Sequence, residues 1–598
     1  MLVDTDVLII GAGLSGVGFA IRLQQKYPMV TFEIYEKAEE LGGTWWFNTY
    51  PGCACDVPSH LYSYSFALNP EWSARFAPQA EIEAYSQSVA DTYDLPRHIT
   101  FCSTVQGASW NAASGTWSVR ISDQQTKKVY ERRSRILISA VGLLSEPNDC
   151  EIPGAQGFTG KLFHSARWDH SFDWAGKDVV VVGNGCSATQ FVPILSADPC
   201  KANSVTQFIR QPHWLEGRPN PHYSNTTKWI FRNIPLVMRL FRLAIFLYLE
   251  SYFPTFNRRA GRGIRERKMK AQTAYLKRNA PERYHDVLVP KVELGCKRRV
   301  MDTDYLACLH RENMELVHTD PIECFTTTGV RTLSGREVHA DAVILATGFK
   351  ATQPLFPLEI RGEHGISITE HVRRTLLLSL SAVIFIIVSQ ALTYLQWQNT
   401  PSRVPHAYYG TCVSSFPNFF ILNGPNTATG HTSVIFTVEC QINFTLKVLD
   451  PILRPLHLTT ISTLISPHTP THSSSHSPSL FSRLRRTRKH NPSSHAKSTS
   501  RSLQPVKILS SRRNRRPESV AVTASAEARD ASWIARASEN YVWTSGCASW
   551  YLHPSGRNTT LYPGSQIGFW WRSVRGPAKG DFMYKVCEEE SRGMRDGK

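Results

Sequence analysis

The sequence predicts an α/β fold with two Rossmann-like units in one chain, the second carrying a helical insertion. Two glycine-rich turns each follow a short apolar run and open a helix. The stretch from Arg218 to Val289 places its apolar residues at helical spacing. At 598 residues the chain is long enough for more than one core.

Residues 3–43, VDTDVLIIGAGLSGVGFAIRLQQKYPMVTFEIYEKAEELGG, read as strand, tight turn, helix and strand. Gly11, Gly13 and Gly16 form G-x-G-x-x-G, and Glu36 ends the next strand about twenty residues on. Gly11 permits the sharp turn, Gly13 lets backbone N–H groups approach a pyrophosphate, and Gly16 lets the helix pack closely on the strand. The helix N-terminus favours negative charge, and the Glu36 carboxylate can accept hydrogen bonds from a ribose.

Residues 177–195, KDVVVVGNGCSATQFVPIL, repeat the arrangement with Gly183, Gly185 and Ala188, the G-x-G-x-x-A variant. The strand that follows, SVTQFIRQPHW, ends at Arg210 rather than at an acid. A cation there suits the 2′-phosphate of NADP, and Lys297 can add charge from elsewhere in the chain. Two loops imply two dinucleotides, and FAD followed by NADPH is the simplest assignment. The expectation is therefore an FAD domain and an NADP domain, the latter with the helical insertion at about residues 218–289.

Between the loops stands FTGKLFHSARWD, with Phe158, Gly160, His164, Trp168 and Asp169 at fixed offsets. Here the chain resembles the type I Baeyer-Villiger monooxygenases, class B flavoprotein monooxygenases whose fingerprint is F-x-G-xxx-H-xxx-W followed by Pro or Asp. A second signature of that family is matched by Gly42-Gly43-Thr44-Trp45, Tyr50-Pro51-Gly52 and Asp56, and a third by Ala346-Thr347-Gly348. The resemblance covers residues 1–371, about 397–453 and about 520 onward, and is closest in character to fungal secondary-metabolism enzymes. Trp168 argues against the N-hydroxylating relatives, in which that tryptophan is typically replaced. An N- or S-oxidising flavin monooxygenase is the alternative enzyme.

The resemblance implies that NADPH reduces the flavin, that dioxygen is activated on it, and that a ketone is converted to an ester or lactone. Negative charge on oxygen must then be steadied by a fixed cation in a dry site. Arginine suits this because it keeps its proton. The matching residue is Arg298, with Arg299 its local rival, and Asp56 is the carboxylate that holds the guanidinium. By the same transfer Thr44, Trp45, Asp56, Val57 and Tyr62 line FAD, with Val105 near its adenine. Ala54, Ser187, Thr189, Arg210, Gln211 and Lys297 attend NADP. The fingerprint residues are implied to act as a hinge, and Trp550 to close over a bulky lipophilic ketone such as a polyketide or terpenoid.

The thirteen cysteines show no C-x-x-C pair, which suits reduced thiols in the cytoplasm better than a disulfide scaffold or a metal site, and no secretory signal precedes the first strand. The net charge of +18 would suggest nucleic acid or an anionic surface, yet twelve basic residues and no acidic one fall between Pro455 and Arg516. That segment is rich in Ser, His, Pro and Arg and aperiodic, so it reads as a disordered insert. Residues 375–395 form an uncharged run long enough to cross a bilayer, but they interrupt the second part of the FAD domain. We read residues 372–396 as a retained intron: Val372-Arg373 suits a donor site, Leu392-Thr393 a branch site and Gln396 an acceptor. The expected division is 1–145 and 349–598 for FAD, with both inserts in the latter, and 146–348 for NADP. An inactive or membrane-tethered product is the non-enzyme alternative.

Overall fold

The computed structural model describes residues 3–353, 355–368, 404–465, 517–547 and 549–586. The stretch 372–396 lies outside them, as does 466–516 of the basic insert. The start of that insert continues a helix, Asp450–Ile465.

The α/β expectation holds. One sheet has eight strands, ordered Glu359–Arg361, Ser103–Asn111, Thr116–Asp123, Val129–Ser139, Thr5–Ile10, Phe32–Tyr35 and Ile99–Thr100, with Phe419–Ile421 also paired to Val129–Ser139. Strand Thr5–Ile10 pairs in parallel with both neighbours, and the helix Leu14–Lys26 supplies the crossover that parallel strands require. Val7, Leu8 and Ile9 are wholly buried, as a sheet covered on both faces demands. Two of its strands come from beyond residue 350, so distant chain segments complete this sheet. Asn418 stitches the C-terminal segment on: its amide donates to the Arg135 and Glu518 carbonyls and its oxygen accepts from the Val520 N–H.

The second sheet has five strands, all parallel, ordered Met314–Val317, Ser204–Phe208, Asp178–Val182, Ala342–Leu345 and Lys161–His164. The fingerprint segment is thus structural at its centre: Lys161–His164 forms the edge strand. Trp168 packs between Phe163 and Phe191, with ring centroids 5.3 Å from each.

Helices Asn225–Asn233, Pro235–Glu250, Arg262–Asn279 and His285–Leu288 form the insertion. Ser224 caps the first by accepting from the Thr227 N–H at 3.1 Å. In the second, Arg242 turns inward, donating to the His60 carbonyl at 2.6 Å and the Ser63 hydroxyl at 3.1 Å, so this basic residue ties the insertion to the first unit. Among the described residues, no helix is long and apolar enough to cross a membrane.

Candidate active site

Both glycine turns open on one cavity of about 1780 Å³. That exceeds the usual 300–1,000 Å³ of a pocket for one small ligand. In each turn the first glycine is forced. Gly11 has φ +99°, and a side chain on it would come within 2.9 Å of the Ala140 carbonyl oxygen; Gly183 has φ +115° and would meet the Ala346 oxygen at 2.4 Å. Ala346 is the alanine of the Ala-Thr-Gly motif, so that motif marks where the neighbouring strand grazes the turn. Gly16 does not line the cavity; its missing side chain would sit 2.0 Å from the Gly11 oxygen, which is the packing role expected of it.

Gly13 and Gly43 approach so closely that a side chain on Gly43 would lie 2.9 Å from the Gly13 Cα, which accounts for the second signature's paired glycines. Glu36 is buried, with one carboxylate oxygen accepting from the Ala12 N–H at 2.7 Å and the other from the Ala38 N–H at 2.9 Å. Thr44, Trp45, Ala54, Val57, Tyr62 and Val105 all reach the cavity wall. The Trp45 indole donates to the Tyr62 hydroxyl at 3.0 Å and meets its ring edge-on, fixing both.

On the other wall stand Gly183, Gly185, Ser187, Arg210, Gln211 and Lys297. Two expected contacts do not reach it. Ala188 and Thr189 are buried in the first turn of helix Ala188–Leu195, and the Thr189 hydroxyl donates back to the Gly185 carbonyl. The spacing could not show this, because helix rotation decides which side of the turn faces the cavity. Lys297 donates to the Gln211 side-chain oxygen, and burial together with nearby Arg210 holds its ammonium below the ordinary lysine value.

Asp56 and Arg298, 242 residues apart, meet in this cavity. Arg298 Nε donates to Asp56 Oδ2 at 3.0 Å, and Nη2 donates to the same oxygen. Burial works to raise the Asp56 carboxyl, but the Arg298 guanidinium outweighs it and holds the group below its ordinary value. The same carboxylate pushes Arg298 up, so the guanidinium stays charged. Arg299 faces elsewhere: it pairs with Glu216 at 2.7 Å and lies over the Tyr252 ring.

The position of Asp56 is set by contact between the two units. The Tyr50 hydroxyl donates to Gln190 Oε1 at 2.9 Å, and Gln190 Nε2 donates to the Ala54 carbonyl at 3.0 Å. Gly52 has φ +76°, and a side chain there would strike the Gln190 carbonyl. The Tyr-Pro-Gly turn is therefore a joint that presses the first unit onto the helix Ala188–Leu195.

Sequence reasoning missed several residues around the pair. Cys186 lines the cavity, its thiol pushed up to about 11 mainly by burial. Tyr551, buried beside Arg298, is likewise raised by burial, with Arg298 opposing. Asn423 and Thr432 also line the cavity, and Asn423 Oδ1 and Thr432 Oγ1 are buried without a hydrogen-bond partner among the described residues. No motif announced them. The all-thiol reading is corrected at one pair, since Cys296 and Cys547 form a disulfide; their sequence separation of 251 hid the pairing.

Residues 4–361 match the flavin-binding monooxygenase-like family. A Baeyer-Villiger monooxygenase of Pseudomonas aeruginosa is 32% identical across 95% of this chain and 88% of its own. The FAD-binding monooxygenase ktnD of Aspergillus niger is 36% identical across 73% of this chain and 67% of its own. The fold matches a closed crystal structure of cyclohexanone monooxygenase, with TM-score 0.72 at 22% identity over 98% of this chain and 99% of the other. It matches OTEMO complexed with FAD and NADP equally well, at TM-score 0.72 and 21% identity over 98% and 100%. The chain belongs to the flavin-binding monooxygenase-like family, on its Baeyer-Villiger branch.

Proposed function

We propose that this monooxygenase inserts one oxygen atom from O2 into a bulky lipophilic ketone, giving an ester or lactone in secondary metabolism, and that it works in the cytoplasm. Residues 1–145 and 349–368 with the later segments hold FAD, and 146–348 hold NADPH. The observation that carries this reading is one charged pair, Arg298 with Asp56, set in a cavity that two dinucleotide loops share.

The residues present fit both groups. The first loop offers a strained glycine turn, a helix N-terminus and the Glu36 carboxylate; the second offers an open backbone at Gly185, where a side chain would meet nothing within 4 Å. The unpartnered oxygens of Asn423 and Thr432 supply polar atoms on the cavity wall. When bound, the flavin supplies reduction by NADPH and activation of dioxygen. Arg298 then steadies the negative charge that develops on the ketone oxygen, and Asp56 fixes its orientation so that little reorganisation is needed. Arg210 and Lys297 hold the 2′-phosphate of NADPH, and Trp45 and Tyr62 wall the flavin site from water.

The test is to express the chain with and without residues 372–396 and record flavin absorbance and ketone-dependent NADPH oxidation. Yellow protein that turns ketone into ester supports the reading. Flavin-loaded protein that instead gives N-oxide or sulfoxide, and no ester from any ketone offered, overturns it.

A further inference from the structure

The disulfide Cys296–Cys547 has no part in the oxygen-insertion chemistry, yet one of its halves, Cys547, lines the cavity. Cys296 immediately precedes Lys297 and Arg298, and Cys547 lines the cavity three residues before Trp550. Their Cα atoms are 6.3 Å apart, within the span that a disulfide bridges. Among the described residues the other ten cysteines are free.

The bond joins two parts of unequal firmness. On the Cys296 side the chain is packed: a side chain on Gly295 would meet Phe256 at 2.8 Å and Val542 at 3.3 Å, and Val300 beyond Arg298 is held by strand pairing. The Cys547 side is a span between two anchors. Trp543 is buried against Tyr541 and Phe256, and Tyr551 is buried in a cluster with Ala428 and Leu561. Between them Ser545 and Gly546 are exposed, Gly546 has open space around it, and Trp550 is 39% exposed. The disulfide pins the middle of this span to the segment that carries Arg298.

We propose that Cys296 and Cys547 form a reversible thiol–disulfide site that controls how Gly546, Cys547 and Trp550 sit over the ketone. This rests on the monooxygenase reading for its kinetic arm only. In the closing direction the two thiols give up two protons and two electrons to a low-molecular-weight disulfide; its S–S bond breaks, the Cys296–Cys547 bond forms, and two small thiols leave. A small dithiol reverses the exchange. Oxidised, the span is fixed beside Arg298; reduced, it moves away and ketone binding weakens, while both glycine loops are untouched.

The experiment uses the full flavin-loaded chain purified without reductant. Alkylation and mass spectrometry should label Cys296 and Cys547 only after dithiothreitol, and oxidised glutathione should restore protection. Reduction should raise the ketone KM three- to tenfold with flavin absorbance unchanged, and should speed proteolysis within 544–550. Cys547→Ser should behave as reduced enzyme and ignore dithiothreitol, whereas Cys200→Ser, at an exposed free thiol, should respond like the parent. Labelling of both cysteines after oxidised glutathione, or a broken bond with unchanged KM and proteolysis, overturns the proposal. If Cys547→Ser does not fold, titration of the parent decides. If no ketone turns over, the functional reading fails, and alkylation with proteolysis still decides this one.

Discussion

The two glycine loops are built alike and finished differently. In both, the first glycine's N–H donates to the carbonyl that ends the next strand, Gly11 to Tyr35 at 2.8 Å and Gly183 to Phe208 at 2.9 Å. In both, that glycine lies against the alanine that follows a neighbouring strand. Beyond the turn they diverge. The first loop is completed by Glu36, buried and held by two backbone N–H groups. The second is completed by exposed Arg210 beside Lys297, whose ammonium is held down by burial and by the Arg210 charge. One site is finished before its ligand arrives, as a resident cofactor needs. The other presents unneutralised cations, as suits a phosphate-bearing ligand that comes and goes.

If the labour is divided in this way, the residue between the loops should affect neither binding step. Arg298→Ala should retain flavin absorbance and NADPH binding yet lose about 10²- to 10³-fold in ester formation, about 3–4 kcal/mol of charge stabilisation. Rapid flavin reduction without ester would match this; normal ester formation would remove Arg298 from its role.

The second loop's cation should matter next. Arg210→Ala should raise the NADPH KM about tenfold or more, the loss of a charged contact of about 1.5–3 kcal/mol. The NADH KM should hardly move, so the ratio of the two measures the effect. Equal changes for both cofactors would mean that Arg210 does not meet the 2′-phosphate.

The first loop should respond in structure as well as binding. Glu36→Ala strips acceptors from the Ala12 and Ala38 N–H groups, each loss costing about 1–3 kcal/mol. Part of the protein should purify colourless, with a lower Tm and weaker flavin retention. The NADPH KM of the yellow fraction should be unchanged.

A separate effect, on stability rather than on either loop, appears in acid. His60, His164 and His213 are each pulled down to about 4, first by burial and then by Arg242, Arg167 and Lys297 respectively. Because the unfolded chain binds these protons at about 6.5 and the folded chain only near 4, stability is full above 6.5 and falls across that window. Thermal unfolding at steps from pH 7 to 4 should show a progressive decline, steeper than in His164→Gln.

The glycine spacing, Glu36 and Arg210 were legible because each encodes a local backbone requirement or a charge at a strand end, whereas the fingerprint was legible through family likeness. Asp56 and Arg298 were legible only through family likeness, since nothing local joins residues 242 apart. Thr189 stands back from the cavity because pointing direction depends on how a helix is rotated against its sheet. Cys186, Asn423 and Thr432 had no signal, being ordinary residues until folding brought them to the cavity, and Tyr551 none until it was buried beside Arg298.

Local sequence set the two strand–turn–helix units and the charge at the end of each, because hydrophobic period and glycine strain act over a few residues. Packing between the units paired Arg298 with Asp56 and Arg299 with Glu216, made the Tyr-Pro-Gly turn a joint, and brought Cys296 to Cys547. Those outcomes depend on which surfaces exclude water together, a property that the order of residues along the chain does not display.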